Sequence, residues 1–212
     1  MLILDHLAIS AVTLAEGTEA VEAALGVSLA GGGQHPHMAT HNRLLGLGDL
    51  YLEVIAVDPA APAPAWPRWF DLDHFSGPPR LTNWVARTSD LPAALAAAPP
   101  GTGIPVALSR GPYRWQMAVP ATGKLPFDGC FPALIQWDPP HHPTQALPDA
   151  GIRLTRFEIA HPDADALRAA LTQTQTQTLT LTLTDPRLQI TQGPAKAMRA
   201  TFSTPHGPRA FP

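Results

Sequence analysis

Residues 41–58, HNRLLGLGDLYLEVIAVD, read as two strands joined by a tight turn at Gly48-Asp49, and this hairpin decides the fold class of the chain. Its second strand holds one carboxylate, Glu53, among Tyr51, Leu52, Val54 and Ile55. A charge buried bare among such neighbours is strongly destabilising, so Glu53 must be solvated, paired or bound to a cation.

Working outward toward the N-terminus, residues 2–10, LILDHLAIS, form a mostly apolar strand with His6 at its centre and Asp5 beside it. A helix follows in TLAEGTEAVEAALG, opened by Thr13 or Glu16 and ended by Gly26. The glycines and Pro36 of VSLAGGGQHPHM mark a loop or an irregular strand before the hairpin. Residues 1–60 therefore read as a βαβββ module, whose helix covers one face of a small sheet. The proline-rich stretch 61–79 breaks all periodicity and reads as a linker.

At Arg80 the pattern restarts. RLTNWVARTSDLPAALAAAPPG is a strand and an alanine-rich helix terminated by Pro99 and Pro100, and three strand candidates follow, giving a second βαβββ module over 80–145. From Arg153 the Arg-Leu-Thr opening returns, with Phe157 standing where Trp84 stood and Asp163 where Asp90 stood. Residues 150–212 are accordingly expected to form a third, curtailed module on the same plan, packed on the same domain. The run TQTQTQTLTLTLT at 172–184 alternates at the period of a strand but reads as an expansion without function, either loosely ordered or extending the next strand.

Composition excludes several classes. Hydrophobic residues make up 45% and charged ones 15% of the 212, which describes a globular chain. A net charge of −3 without a lysine- and arginine-rich tract argues against a nucleic-acid partner. No apolar run approaches the ~18 residues that span a bilayer. Asp5 and His6 interrupt what a signal peptide would keep apolar, so no membrane association and a cytoplasmic location are expected. The single cysteine, Cys130, excludes an internal disulfide and reads as a small packed residue.

His6 and Glu53 sit mid-strand in the first module, and an imidazole with a carboxylate on neighbouring strands suits Zn, Ni, Fe or Mn. A histidine within a strand is equally often a hydrogen-bonded core residue, and both readings stand. His41, which opens the hairpin, is a further candidate ligand or base. Arg87 and Arg114 could clamp an anionic substrate, while Trp84 and Trp115, with Trp137, offer an aromatic wall or plain core packing. Of the adjacent pair His141-His142 at most one can face a cleft, and His142-Pro143 reads as a turn or rim element.

The segments LDHLAI, GGGQHPHMATHN, LGDLYLEVIAVDP, WVARTSDL and LIQWD followed by HHP together resemble the glyoxalase-like domain family of the vicinal oxygen chelate superfamily, over nearly the whole chain. The resemblance implies an α+β fold of repeated βαβββ modules in a curved, U-shaped mixed sheet with the helices outside, usually around a divalent metal that chelates adjacent substrate oxygens. It also implies that His6 and Glu53 are metal-ligand positions of the first module. In the second module the matching positions are Trp84 and Gln136, where a lyase of the family would place His or Glu and Glu. The expectation is a glyoxalase-like small-molecule enzyme with a divalent metal as Lewis acid. The alternative is a metal-free protein that binds or sequesters a hydrophobic or drug-like molecule. Sheet edges leave homodimerisation open.

Overall fold

Strand β1 (Ile3–Ser10) is buried almost throughout, and the other elements are arranged to cover both of its faces. The computed structural model describes residues 1–172, 174–176, 179–180 and 182–212. Helix α1 (Leu14–Leu25) begins where Thr13 Oγ1 accepts the Glu16 N–H at 3.2 Å. It ends at Gly26, whose φ of 72° suits a residue without Cβ and whose N–H reaches Glu22 O at 2.8 Å. Strands β2 (Gln34–His35), β3 (Thr40–Gly46) and β4 (Tyr51–Val57) complete the first half. Across the Gly48-Asp49 turn β3 and β4 pair antiparallel, with Leu44 opposite Glu53, and β4 runs parallel to β1.

The second half repeats that wiring with β5 (Arg80–Arg87), α2 (Leu91–Ala96), β6 (Ile104–Arg110), β7 (Tyr113–Val119) and β8 (Ala133–Trp137), and here β8 runs parallel to β5. Antiparallel pairing of β1 with β5 joins the halves into one eight-stranded mixed sheet of order β2-β3-β4-β1-β5-β8-β7-β6. The sheet curves until β2 approaches β6, so it is nearly closed.

Beyond it come β9 (Arg153–His161), α3 (Ala164–Leu171), the short pair β10 (Thr174–Thr176) and β11 (Leu179–Thr180), then β12 (Leu188–Gln192), β13 (Ala197–Thr204) and β14 (Gly207–Phe211). The second sheet has the order β12-β9-β13-β14. Its first strand pairs in parallel with β12, the next strand of its sheet after the helix, and not with the last strand as in the two halves of the large sheet. The shared Arg-Leu-Thr opening encodes a local strand-and-helix signal, whereas pairing order depends on which apolar faces meet. Of the alternating run 172–184, residues 173, 177, 178 and 181 lie outside those described.

Alternation along the strands divides the apolar residues into two sets. Leu7, Ile9, Trp84 and Leu134 face outward, where the helices and the second sheet cover them; the Trp84 and Phe157 rings meet edge to face at 5.8 Å. Ala8, Val85, Met117 and Ile135 face the concave side. That side is covered by a 3₁₀ turn, Trp69–His74, within the stretch that sequence reads as a linker. Trp69, Phe70 and Leu72 of this turn are buried. Phe70 and Asp71 hold φ of 59° and 54°, a left-handed conformation that side chains adopt only when their surroundings enforce it, and the Asp71 N–H is tied to Gly123 O at 3.0 Å.

Candidate functional site

The concave side holds a buried chain of ionisable groups, and a break in strand register creates it. The pairing of β1 with β5 shifts between Leu4 and His6, leaving Asp5 as the extra residue of a β-bulge. Successive strand side chains ordinarily point apart, but here Asp5 Oδ1 lies 2.6 Å from His6 Nδ1.

The other Asp5 oxygen, Oδ2, gathers donors from the second half. His142 Nδ1 accepts the Thr144 N–H at 3.3 Å, so its proton is on Nε2, which donates to Asp5 Oδ2 at 2.9 Å. Trp137 Nε1–H donates to the same oxygen at 3.1 Å and Arg87 Nη1 at 3.4 Å. Burial alone would raise the Asp5 pKa, but hydrogen bonds from His142 and His6 together outweigh it and hold the carboxyl well below its ordinary range. Asp5 is therefore an anion that accepts the His6 Nδ1–H and leaves Nε2 to face the site.

His6 Nε2 lies 3.5 Å from Glu53 Oε2, and the His6 ring stacks on Tyr51 at 4.3 Å. Burial opposes charge on His6, yet the bonds to Asp5 and Glu53 prevail and raise its pKa above 6.5. Glu53 is likewise opposed by burial, and His6, His35 and Asn42 bring it down to about 2. Asn42 Nδ2 donates to Glu53 Oε1 at 2.5 Å while Asn42 Oδ1 accepts the Gly33 N–H at 2.9 Å. Gly32 makes that approach feasible, since a Cβ there would stand 1.7 Å from Asn42 O. His35 completes the group; burial, assisted by Arg110, His6 and His41, depresses its pKa to about 4, so it is neutral at pH 7.

His6, Glu53, Tyr51, Trp69, Arg110 and Trp115 border a cavity of 20 Å³, room for about one water molecule. Of the residues singled out from sequence, His6, Glu53, Trp115 and Trp137 meet there, and Arg87 lies behind them on Asp5. The others lie elsewhere. His41 precedes Asn42 on β3 and so points to the opposite face of the strand. Trp84 is in the outer core, its Nε1–H donating to Cys130 O at 2.8 Å. Gln136 Oε1 accepts the Leu91 N–H at the start of α2 at 2.7 Å, and Arg114 ties down its own turn through Gly111 O and Tyr113 O. The positions that face inward on these strands are Val85, paired with His6, and Ile135 and Trp137. Sequence reasoning missed the roles of Asp5, Asn42 and Arg110 and the reach of His142. Only the Asp5-His6 adjacency was open to view, and the bulge that gives it meaning leaves no local signature.

A divalent metal at this site would find the His6 imidazole and the Glu53 carboxylate, with Asp5 as the anion that orients the histidine. Further donors are few: Val85 and Ile135 carry no ligand atoms, both Asn42 side-chain atoms are engaged, and the remaining imidazole of the cavity, His35, has Nδ1 at 3.0 Å from Thr40 Oγ1 and Nε2 at 3.4 Å from Asn42 Nδ2. Among the described residues, no three His, Cys, Asp or Glu side chains converge on one cation position. The donor set does not fit a catalytic or structural metal of the usual coordination.

A family profile described as a glyoxalase-like domain matches residues 4–175. The chain belongs to the glyoxalase-like domain family. This membership places it in the vicinal oxygen chelate superfamily and accords with its curved mixed sheet. Among solved structures, the chain is similar to a hypothetical protein from Staphylococcus aureus, at 14% identity over 92% of this chain and 88% of that one, with a TM-score of 0.62. It is also similar to methylmalonyl-CoA epimerase from Mycobacterium tuberculosis, at 19% identity over 68% of this chain and 90% of that one, with a TM-score of 0.42. No curated protein matches the sequence. At these identities the likeness is one of fold, and this glyoxalase-like chain must be read from its own side chains.

Proposed function

We propose that this glyoxalase-like protein is a small-molecule enzyme that moves a proton on a substrate with adjacent oxygens, using His6 and Glu53 as an acid and base pair. The observation that carries the reading is the buried chain from Asp5 through His6 to Glu53, in which His6 Nε2 and Glu53 Oε2 stand 3.5 Å apart and both residues border the cavity. Protonated His6 delivers its Nε2 proton to a substrate carbonyl oxygen while Glu53 takes a proton from the neighbouring carbon. The C–H bonding pair becomes the new C=C bond, the carbonyl π pair becomes the O–H bond, and an enediol results. Asp5 keeps the imidazole oriented, and the reverse step returns the proton to either carbon.

Two features support the reading over a metal-centred one: the unsuited donor set, and the proton that Asp5 and Glu53 favour on His6. The test is solvent deuterium exchange into hydroxyacetone and lactaldehyde, followed by proton NMR in the presence and absence of a chelator. The intact protein should exchange the hydrogen on the hydroxyl-bearing carbon beside the carbonyl equally in both, and His6→Gln or Glu53→Gln should slow it by about 10²–10⁴-fold. Exchange no faster than in those variants overturns the reading.

The alternative of a metal-free binding protein draws on a separate groove of 750 Å³ bounded by Met38, Trp66, Ile104, Val106, Val119 and Leu125. Its size suits a drug-sized apolar ligand. Trp66 and Ile104 are 45% and 70% exposed there, and the Trp66 ring stacks on His37 at 4.4 Å.

A further inference from the structure

Among the described residues, three side chains around the cavity offer N–H donors that meet no acceptor. Trp69 Nε1 and Trp115 Nε1 are buried without a hydrogen-bond partner, and both rings line the cavity, set edge to face with His35 at 5.0 and 6.1 Å. Arg110, the last residue of β6, is 9% exposed, and among the described residues its guanidinium makes no ion pair or hydrogen bond. It lies over the Tyr113 ring at 5.6 Å. A buried indole N–H without a partner costs stability.

The location of Arg110 suggests what it serves. The same residue borders the 20 Å³ inner cavity and an outer cleft of 300 Å³ whose walls include Leu44, Tyr113, Pro143 and Leu147. Backbone on the other side holds its stem in place, since a Cβ on Gly33 would stand 2.8 Å from Arg110 Cγ and Cδ. The planar fork therefore stands at the junction between an outer space large enough for a small organic molecule and the acid and base pair. A guanidinium at such a junction matches a carboxylate in shape and charge.

We propose that Arg110 anchors the carboxylate of a small substrate lying in the outer cleft, and that the indole N–H groups of Trp69 and Trp115 receive the oxygens this substrate presents to the inner cavity. The proposal rests on the reading of His6 and Glu53 as the reacting pair and adds the substrate class, a small oxygenated carboxylic acid. Arg110 and the two indoles are binding groups, and the carboxylate supplies the counter-charge that no described residue gives Arg110.

The test titrates the intact chain, followed by tryptophan fluorescence, with pyruvate and benzoate and with their neutral counterparts pyruvamide and benzamide. Both carboxylates should give a saturable change and each amide should bind at least about tenfold more weakly, in line with a charge-assisted bidentate contact. Arg110→Met should abolish that preference and Arg110→Lys should retain part of it, with circular dichroism and urea midpoints showing that both variants fold. Equal affinity for acid and amide, an unchanged carboxylate affinity in folded Arg110→Met, or no saturable response to any of the four probes overturns the anchor. His6→Gln separates the two proposals, since it should lose deuterium exchange yet bind carboxylates within about twofold of the intact protein. Carboxylate preference without exchange in the intact protein leaves the anchor standing and removes the acid and base reading. Exchange without carboxylate preference does the reverse.

Discussion

Asp5 Oδ1 lies 2.6 Å from Nδ1 of His6, its neighbour in the chain, because a β-bulge turns both side chains toward one side of the strand. The Asp5 carboxylate is fully buried and faces donors from His6, His142, Trp137 and Arg87. Asp5→Asn keeps the shape but removes the charge that these groups satisfy. It should destabilise the protein by about 3–5 kcal/mol in urea denaturation, the usual cost of leaving one side of a buried ion pair unmatched. Deuterium exchange should fall with it, since the donors on Oδ2 would draw the amide oxygen to their side and leave its NH2 facing His6 Nδ1, which favours the wrong tautomer. A loss under about 1 kcal/mol would show that the network contributes little.

Stability should depend on pH through His35 and Glu53. His35 has its folded pKa depressed from 6.5 to about 4, so between those values the unfolded chain binds the extra proton and stability falls as the solution is acidified. Glu53, depressed from 4.5 to about 2, extends the loss further into acid. His6 has the opposite sign: its raised pKa contributes stability that is complete below 6.5 and is lost as pH rises through the folded value. His35→Asn should remove the acid-side slope between about pH 6.5 and 4, worth about 3 kcal/mol at most. Urea midpoints measured at intervals from pH 7 to 4 check it, and an unchanged slope in the variant speaks against a neutral buried His35.

Gln136 looks from sequence like an oxygen ligand and in the fold caps α2. Gln136→Met should therefore leave deuterium exchange within about twofold of the intact protein while lowering stability by about 1 kcal/mol through loss of the bond to the Leu91 N–H. A large drop in exchange with stability intact would return Gln136 to the site.

The first half of the large sheet was readable because its signals are local. Thr13 and Gly26 bound a helix, the Gly48-Asp49 turn closes a hairpin, and Glu53 stands out among apolar neighbours. His6 and Glu53 belong together for the same reason: a polar residue in an apolar strand needs a partner, and strands of one module supply it. Transfer of that logic to the second module failed at Trp84 and Gln136. Matching by sequence placed them opposite His6 and Glu53, but the register of β5 and β8 turns both to the outer face. A shift of one residue exchanges the two faces of a strand, and no composition signal reports it.

The proline-rich stretch 61–79 shows the same boundary between what is local and what is not. Its prolines correctly argue against regular strand or helix periodicity, yet Trp69 and Phe70 within it wall the cavity. Arg110 ends a hairpin strand and reads as an ordinary turn-flanking charge until the curved sheet carries it beside the first half.

By itself the sequence determined the α+β class, the repeated strand-and-helix wiring, the likeness to glyoxalase-like domains and the pairing of His6 with Glu53. All of these follow from patterns within a few residues or from repetition of such patterns. The tertiary structure alone decided that Asp5 supports His6, that Val85 and Ile135 stand where further ligands would be needed, and that Arg110, Trp69 and Trp115 bring N–H donors to the same cavity. Those facts depend on one bulge, on strand register and on the curvature that brings distant strands together, and each is set by packing across the whole sheet.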